Sequence, residues 1–196
     1  MIEFIIAVIF LLITPGPGVL TTAGIGAAFG YRAGFGFVGG LMLGGFINMM
    51  IVISGVAALV LAVPSLRNVL LIASVAYLIY LAWRIASAGA KVGFAPAEAP
   101  LGFKNGLMLQ FINPKAYVVS TTLFSGFVFL PDSPVIEVLL KLVVFNLIWL
   151  PVHLAWLAFG AKIGSLNLPH NRQRAINIAM ALALLVVVGI ALWTSL

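Results

Sequence analysis

Two short motifs within apolar stretches have residue types that could bind a charged molecule. They are Thr14-Pro15-Gly16-Pro17-Gly18 and Asn113-Pro114-Lys115. A proline at the first position of a helix loses no needed N–H, and the residue before it, Thr14 or Asn113, has a side-chain oxygen that can cap the free amides. Each motif therefore predicts a helix that is broken and restarted, with free amides and partial positive charge that attract an anion.

Three further polar residues lie inside apolar stretches. Placing the ionised side chain of Lys115 within a bilayer costs ~2.5 kcal/mol or more, which makes this residue a functional candidate. The alternative is that its long aliphatic side chain carries the ammonium to the membrane surface. His153 can take up a proton near neutral pH, so it is a candidate proton relay, with a packing role as an equal alternative. Gln110 is assigned to substrate binding, or else to hydrogen bonding between helices.

The two motifs occupy matching positions, within the first dozen residues of their stretches. Prolines also kink many membrane helices that bind nothing, but two matched breaks in a transporter indicate a substrate site near the middle of the membrane. The predicted substrate-binding residues are Thr14, Pro15, Gly16, Pro17, Gly18, Gln110, Asn113, Pro114 and Lys115. Neither a cofactor nor a metal is expected, because the chain has no cysteine and only two histidines.

Composition identifies the elements that must position these residues. The 196 residues are 64% hydrophobic and 7% charged, whereas soluble domains have ~25% charged residues. Six stretches approach the ~20 residues that cross a bilayer. They are residues 4–29, 35–63, 69–85, 107–130, 135–159 and 175–192. The sequence therefore predicts one all-α integral membrane domain over residues 1–196, with breaks in the first and fourth spans.

The order of the spans suggests an internal repeat. Three spans fall in each half, about residues 1–88 and 100–196, with a linker at about 89–99. Because three is odd, the second half enters the membrane in the opposite sense, as in the inverted repeats of many transporters. Most Lys and Arg residues follow the first, third and fifth spans, so those loops are predicted to be cytoplasmic and both termini outside.

The motifs and their order resemble the lysine exporter and homoserine/threonine exporter family. The shared features are Thr14-Pro15-Gly16-Pro17, a glycine-rich second helix and Asn113-Pro114-Lys115 half a chain later. The resemblance implies efflux of amino acids across the inner membrane of a cell, usually driven by protons. One departure is Gly18, where many members of the family have Asp or Asn.

These observations predict a secondary transporter that exports amino acids with neutral side chains by alternating access. The expected partners are a small-molecule substrate and the lipid bilayer, with a homo-oligomer left open. The net charge of +6 is dispersed, which argues against nucleic acid. An intramembrane enzyme is disfavoured because no nucleophile-base pair is evident, and a non-transporting membrane subunit is the other alternative.

Overall fold

The computed structural model describes residues 1–14, 16–55, 99–166 and 168–193, together with single positions between 65 and 86. Pro15, most of the predicted third span and nearly all of the predicted linker lie outside the described residues. Every regular element in the described part is helical, as the sequence predicts. The α-helices are α1 (Ile2–Ile13), α2 (Pro17–Phe29), α3 (Phe35–Ile53), α4 (Phe103–Ile112), α5 (Pro114–Gly126), α6 (Pro134–Ser165) and α7 (His170–Trp193).

Two helical segments of the described chain are long and apolar enough to cross a membrane. One is Tyr31–Ile53, which joins a short 3-10 helix to α3, and the other is α6. The α1–α2 pair, bent by 51°, would be a third if it forms one broken span. The prediction of an apolar, all-helical membrane protein is thus confirmed.

The predicted breaks are present, whereas several predicted span boundaries are wrong. Helix α3 ends at Ile53 within the predicted span 35–63, and α7 begins at His170 instead of residue 175. Helices end and restart between α1 and α2 and between α4 and α5. The fourth predicted span began at residue 107, but α4 begins at Phe103, where Asn105 caps the helix by accepting a hydrogen bond from the Gly102 N–H at 3.1 Å. The fifth ended at residue 159, but α6 continues to Ser165 because Gly160 and Gly164 pack on α2.

Helices α2 and α6 form the first of two close helix contacts. A Cβ atom added to Gly26 would meet the backbone of Leu157 and Ala161, and one added to Gly160 would overlap the carbonyl of Ala23. Near the start of α2, Gly18 faces His153. Residue numbers rise together along both helices, so they run parallel. We call this contact the α2–α6 seam.

Helices α3 and α4 form the second close contact, which we call the α3–α4 seam. An added Cβ on Gly40 would overlap the carbonyl of Phe103, and one on Gly106 would overlap the carbonyl of Phe37. Further along, Gly44 meets the side chain of Gln110. The residue order again shows a parallel pair. Glycine allows such backbone contact because no side chain separates the helices.

An ion pair fixes the chain between α5 and α6. Lys141 Nζ lies 2.7 Å from a carboxylate oxygen of Glu137, one helical turn earlier, and both side chains are buried. Glu137 also accepts from the backbone N–H of Phe129, and Lys141 donates to the carbonyl of Phe124 at 3.2 Å. This part of the chain is therefore held against the first turns of α6.

Candidate functional site

The two helix breaks meet in space, although 101 residues separate them in sequence. Lys115, at the start of α5, donates from Nζ to the carbonyl oxygen of Thr14, at the end of α1. Its aliphatic stem lies over Gly16, where an added Cβ would be 2.8 Å from Cδ of Lys115. The structure therefore brings together Thr14, Gly16 and Lys115, three of the predicted site residues.

The first break is built differently from its prediction. Thr14 does not cap α2, because its hydroxyl donates back to the Phe10 carbonyl of α1 at 2.6 Å. Gly16 is the residue before the first turn of α2, with extended backbone at φ −151° and ψ 178°. A proline disfavours helical backbone angles at the residue before it, which here is Gly16, so the helix begins only at Pro17.

The second break follows its prediction. Asn113 has extended backbone, and its Oδ1 accepts a hydrogen bond from the Lys115 N–H at 3.1 Å. Pro114 is the first residue of α5. Since α4 begins at Phe103, Lys115 is twelve residues into the paired helices, or ~18 Å at 1.5 Å per residue. This position along the paired helices, together with the contact to Thr14, argues against the alternative that the Lys115 side chain extends to the membrane surface.

A cavity of about 50 Å³ lies beside the two breaks. It includes the predicted residues Gly16, Gly18, Gln110, Asn113 and Lys115, whereas Thr14 and Pro17 do not line it. Lys115 is the only charged side chain among its described lining residues. Because no carboxylate lines the described part of the pocket, the local charge favours an anionic group.

His153 lines the same pocket from α6. Its ring stacks on Trp149 with centroids 3.7 Å apart, and Nδ1 lies 3.0 Å from the Trp149 carbonyl oxygen. Nε2 faces α2, 3.7 Å from the position that a Cβ on Gly18 would occupy. The side chain is 5% exposed. Two contacts thus fix the ring orientation.

Several lining residues were not predicted as part of the site. They are Leu11, Leu12, Val19, Gly45, Ala116, Val119, Ser120, Phe145 and Trp149. Apolar residues in an apolar span have no distinguishing sequence signal, because lipid-facing and pocket-facing positions look alike. Trp149 and Ser120 had a weak signal, since each is a polar or aromatic group near the middle of a span.

A metal or catalytic centre has no support in the described part of the chain. No group of three or more His, Cys, Asp or Glu side chains there is placed to hold a metal ion. The pocket instead combines one cation, two amides, a hydroxyl and one imidazole between broken helices. Such an arrangement suits reversible binding of a small polar molecule.

Comparison with known protein families agrees with this geometry. The family model described as LysE type translocator matches residues 9–196, which is nearly the whole chain. The chain belongs to the LysE type translocator family. It is therefore a membrane transporter and not an enzyme, as the sequence analysis predicted. The resemblance to the lysine exporter family is also confirmed.

The similar proteins with curated names are efflux proteins. The chain is 29% identical to the cysteine/O-acetylserine efflux protein of Escherichia coli strain K12 over 173 residues, covering 87% of this chain and 86% of the relative. It is 33% identical to the protein of the same name from Salmonella typhimurium strain LT2 over 122 residues, covering 62% and 61%. No solved structure matches the chain. Its relatives thus support amino-acid export.

Proposed function

We propose that the protein exports amino acids with small, neutral side chains, including cysteine and O-acetylserine, through the pocket between the two helix breaks. The observation that carries this proposal is the position of Lys115. It is the one charged side chain among the described lining residues, and the start of α5 lies beside it. A cation and a helix N-terminus attract a carboxylate, and nothing described there neutralises a cationic side chain.

The names of the relatives support the same substrate class. Cysteine and O-acetylserine both have an α-carboxylate, an α-ammonium and an uncharged side chain. A pocket with one cation and several uncharged polar groups fits that combination better than it fits lysine or arginine. The inner membrane of the cell is the expected location, because export of a metabolite requires a protein that spans it.

Alternating access is the proposed mechanism, and the two seams support it. With the N-terminus outside, α1, α5 and the first half of α6 form the outer part of the molecule. These helices supply Leu11, Ser120, Phe145 and Trp149 to the pocket. The α2–α6 and α3–α4 seams then lie on the cytoplasmic side, where backbone contacts close the path. We infer that the structure corresponds to an outward-facing state and that both seams separate to admit substrate from inside.

The parallel seams also support the six-span inverted repeat. Two membrane spans that run parallel have an odd number of spans between them. For α3 and the α4–α5 pair this number is one, which matches a third span at residues 69–85. In the proposed repeat, the first span corresponds to the fourth and the second span to the fifth. The first and fifth spans form the α2–α6 seam, so they correspond to the fourth and second spans, which form the α3–α4 seam.

Proton coupling is the remaining part of the proposal. His153 is the only described lining residue, apart from Lys115, that can gain or lose a proton. Its side chain faces the pocket instead of the lipid. We therefore keep it as the proton relay, with inward proton movement driving outward substrate movement.

Flux measurements on purified protein in liposomes test the proposed function. Vesicles loaded with labelled cysteine, alanine or lysine are diluted into buffer under an imposed pH gradient, with protein-free vesicles as control. We expect gradient-dependent release of cysteine and alanine and none of lysine. Release of lysine without the neutral amino acids would reject the substrate class. Absence of flux for every amino acid would favour the alternative of a non-transporting subunit.

A further inference from the structure

We propose that Nε2 of His153 is the shared acceptor for the ammonium group of the substrate and for the transported proton, so that the two bind one at a time. This inference rests on the proposed export function and deepens it. It assigns a specific atom to recognition of the amino group, whereas Lys115 recognises the carboxylate. It also gives a physical basis for exchange of one proton against one substrate molecule.

The first observation is the tautomer of His153. Nδ1 contacts the Trp149 carbonyl oxygen, which can only accept a hydrogen bond. In the neutral ring Nδ1 therefore has the hydrogen, and Nε2 has a free lone pair. Nε2 makes no hydrogen bond with any described residue, and the side chain is 95% buried in a pocket wall. Nε2 is not one of the sealed, unpartnered polar atoms of the described part, and His153 lines the pocket, so a ligand that donates a hydrogen bond has access to this lone pair.

The second observation is the open space at Gly18. A Cβ at this position would make ordinary contacts, 3.7 Å from Nε2 and 3.6 Å from Leu41. Because glycine has no side chain, Gly18 itself does not cover Nε2. The lone pair thus faces the pocket directly, and Gly18 leaves the acceptor available to a small molecule.

The third observation is the spacing between His153 and Lys115. Lys115 Nζ lies 3.3 Å from the Cβ position of Gly16, and His153 Nε2 lies 3.7 Å from that of Gly18. Residues two apart in a chain are at most ~7 Å apart. Both groups therefore border the part of the pocket next to Gly16 and Gly18, and we assign the carboxylate of one small zwitterion to Lys115 and its ammonium to His153.

Competition for one lone pair accounts for coupling. On the outer side a proton from solution binds Nε2, the N–H···Nε2 hydrogen bond to the substrate breaks, and the substrate leaves with its ammonium intact. On the cytoplasmic side Nε2 releases that proton to solution and accepts a hydrogen bond from the next substrate. No other electron or proton movement is needed. The elements around His153 present Leu11, Gly18, Leu41 and Gln110, all uncharged, and one charged group, Lys115.

Two ligands that differ only in the amino group provide the test. Cysteine has both charged groups, whereas 3-mercaptopropionate lacks the ammonium; alanine and propionate form a second pair. Binding to the detergent-purified protein is measured by calorimetry from about pH 8 to about pH 4, with the affinity of each acid referred to its ionised form. We expect the affinity for cysteine and alanine to fall, by up to about tenfold per pH unit for one competing proton. The affinity for the two deaminated acids should rise, because a second cation joins Lys115.

Matched variants assign the effect to one atom. In His153→Gln, whose side-chain amide does not titrate, the affinity for cysteine should not depend on pH. In His170→Gln, which alters the exposed histidine at the start of α7, the pH dependence should equal that of the parent. Gly18→Asn should weaken cysteine binding by placing an amide beside Nε2.

The outcomes separate this inference from the function on which it rests. If neutral amino acids bind but the affinity does not change with pH, or if His153→Gln keeps the parent's pH dependence, the shared-acceptor inference is wrong and the export function stands. If no neutral amino acid binds at any pH, the proposed function fails, and the inference fails with it.

Discussion

Lys115 connects the two halves of the chain at a single point. Its backbone N–H belongs to the second break, through Asn113, while its side chain reaches the end of α1 at Thr14. The ammonium has three donors, so two remain after the contact with Thr14. The same residue can therefore hold the breaks together and bind a carboxylate. These two roles predict different results when the charge is removed.

Replacing Lys115 by Met should remove transport and leave the protein folded. A charge-assisted hydrogen bond contributes ~1.5–3 kcal/mol, so we expect substrate affinity to fall roughly 10- to 100-fold. Flux per folded molecule is measured in liposomes, with the folded fraction taken from size-exclusion profiles. Lys104→Met is the matched control, because Lys104 is exposed at the start of α4. If Lys115→Met were unstable but transported normally per folded molecule, the role would be structural only.

The residue-level predictions succeeded where local chemistry decides the structure. Asn113 caps α5 because its side chain can fold back onto the next free amide, which depends on only three residues. Thr14 does not cap α2 because a second proline, Pro17, moves the helix start by two residues. The contact of Lys115 with Thr14 was expected only in the general sense that the breaks converge. The distances across 101 residues depend on tertiary packing that a local pattern does not encode.

At the scale of elements, the proposed alternating access depends on the two seams. Each contains glycines from both of its helices, so backbone atoms touch without intervening side chains. A contact of this kind has little tolerance for added volume. Gly39 and Gly40 are adjacent in α3 and both face Phe103, but Gly40 meets its backbone carbonyl whereas Gly39 meets its ring.

Gly40→Ala should prevent closure of the cytoplasmic side, because its Cβ would overlap the backbone carbonyl of Phe103. We expect flux to fall at least several-fold and a cysteine introduced near the seam to become reactive from the cytoplasmic face. Gly39→Ala is the control, since its Cβ would lie 3.7 Å from the Phe103 ring, an ordinary contact. Equal flux in the two variants would show that the α3–α4 seam does not act as a gate.

For the described part of the chain, the sequence predicted that the elements are helices and roughly where they lie. It did not predict which helices pack against each other. Apolar length and proline positions predict where helices lie, since both are local properties. Glycine spacing predicts close approach without naming the neighbouring helix. Asn146 illustrates the limit: an apolar span suggests that it bonds to another helix, yet its amide donates to Leu142 of its own helix at 2.8 Å. The Glu137–Lys141 pair was also missed, although its four-residue spacing was visible.

At the scale of the whole molecule, sidedness is still a prediction from the distribution of Lys and Arg. Asp132, just before α6, and Lys104, in the first turn of α4, are both exposed. The predicted topology places them on opposite sides of the membrane. Single cysteines at these positions have no background, because the chain has none of its own. In intact cells an impermeant thiol reagent should label Asp132→Cys and spare Lys104→Cys. The reverse pattern would place the termini inside and turn the proposed outward-facing state into an inward-facing one.

The length of α6 has a consequence for the surrounding lipid. Its 32 residues extend ~48 Å, whereas the hydrocarbon core of a bilayer is ~30 Å thick. A helix this long must tilt or project, and each choice creates a hydrophobic mismatch that the bilayer resists. Because α6 forms one seam and positions His153, any rocking motion that opens the seam changes this tilt. Bilayer thickness should therefore bias the proposed balance between outward-facing and inward-facing states, and we expect the rate of export to depend on lipid chain length.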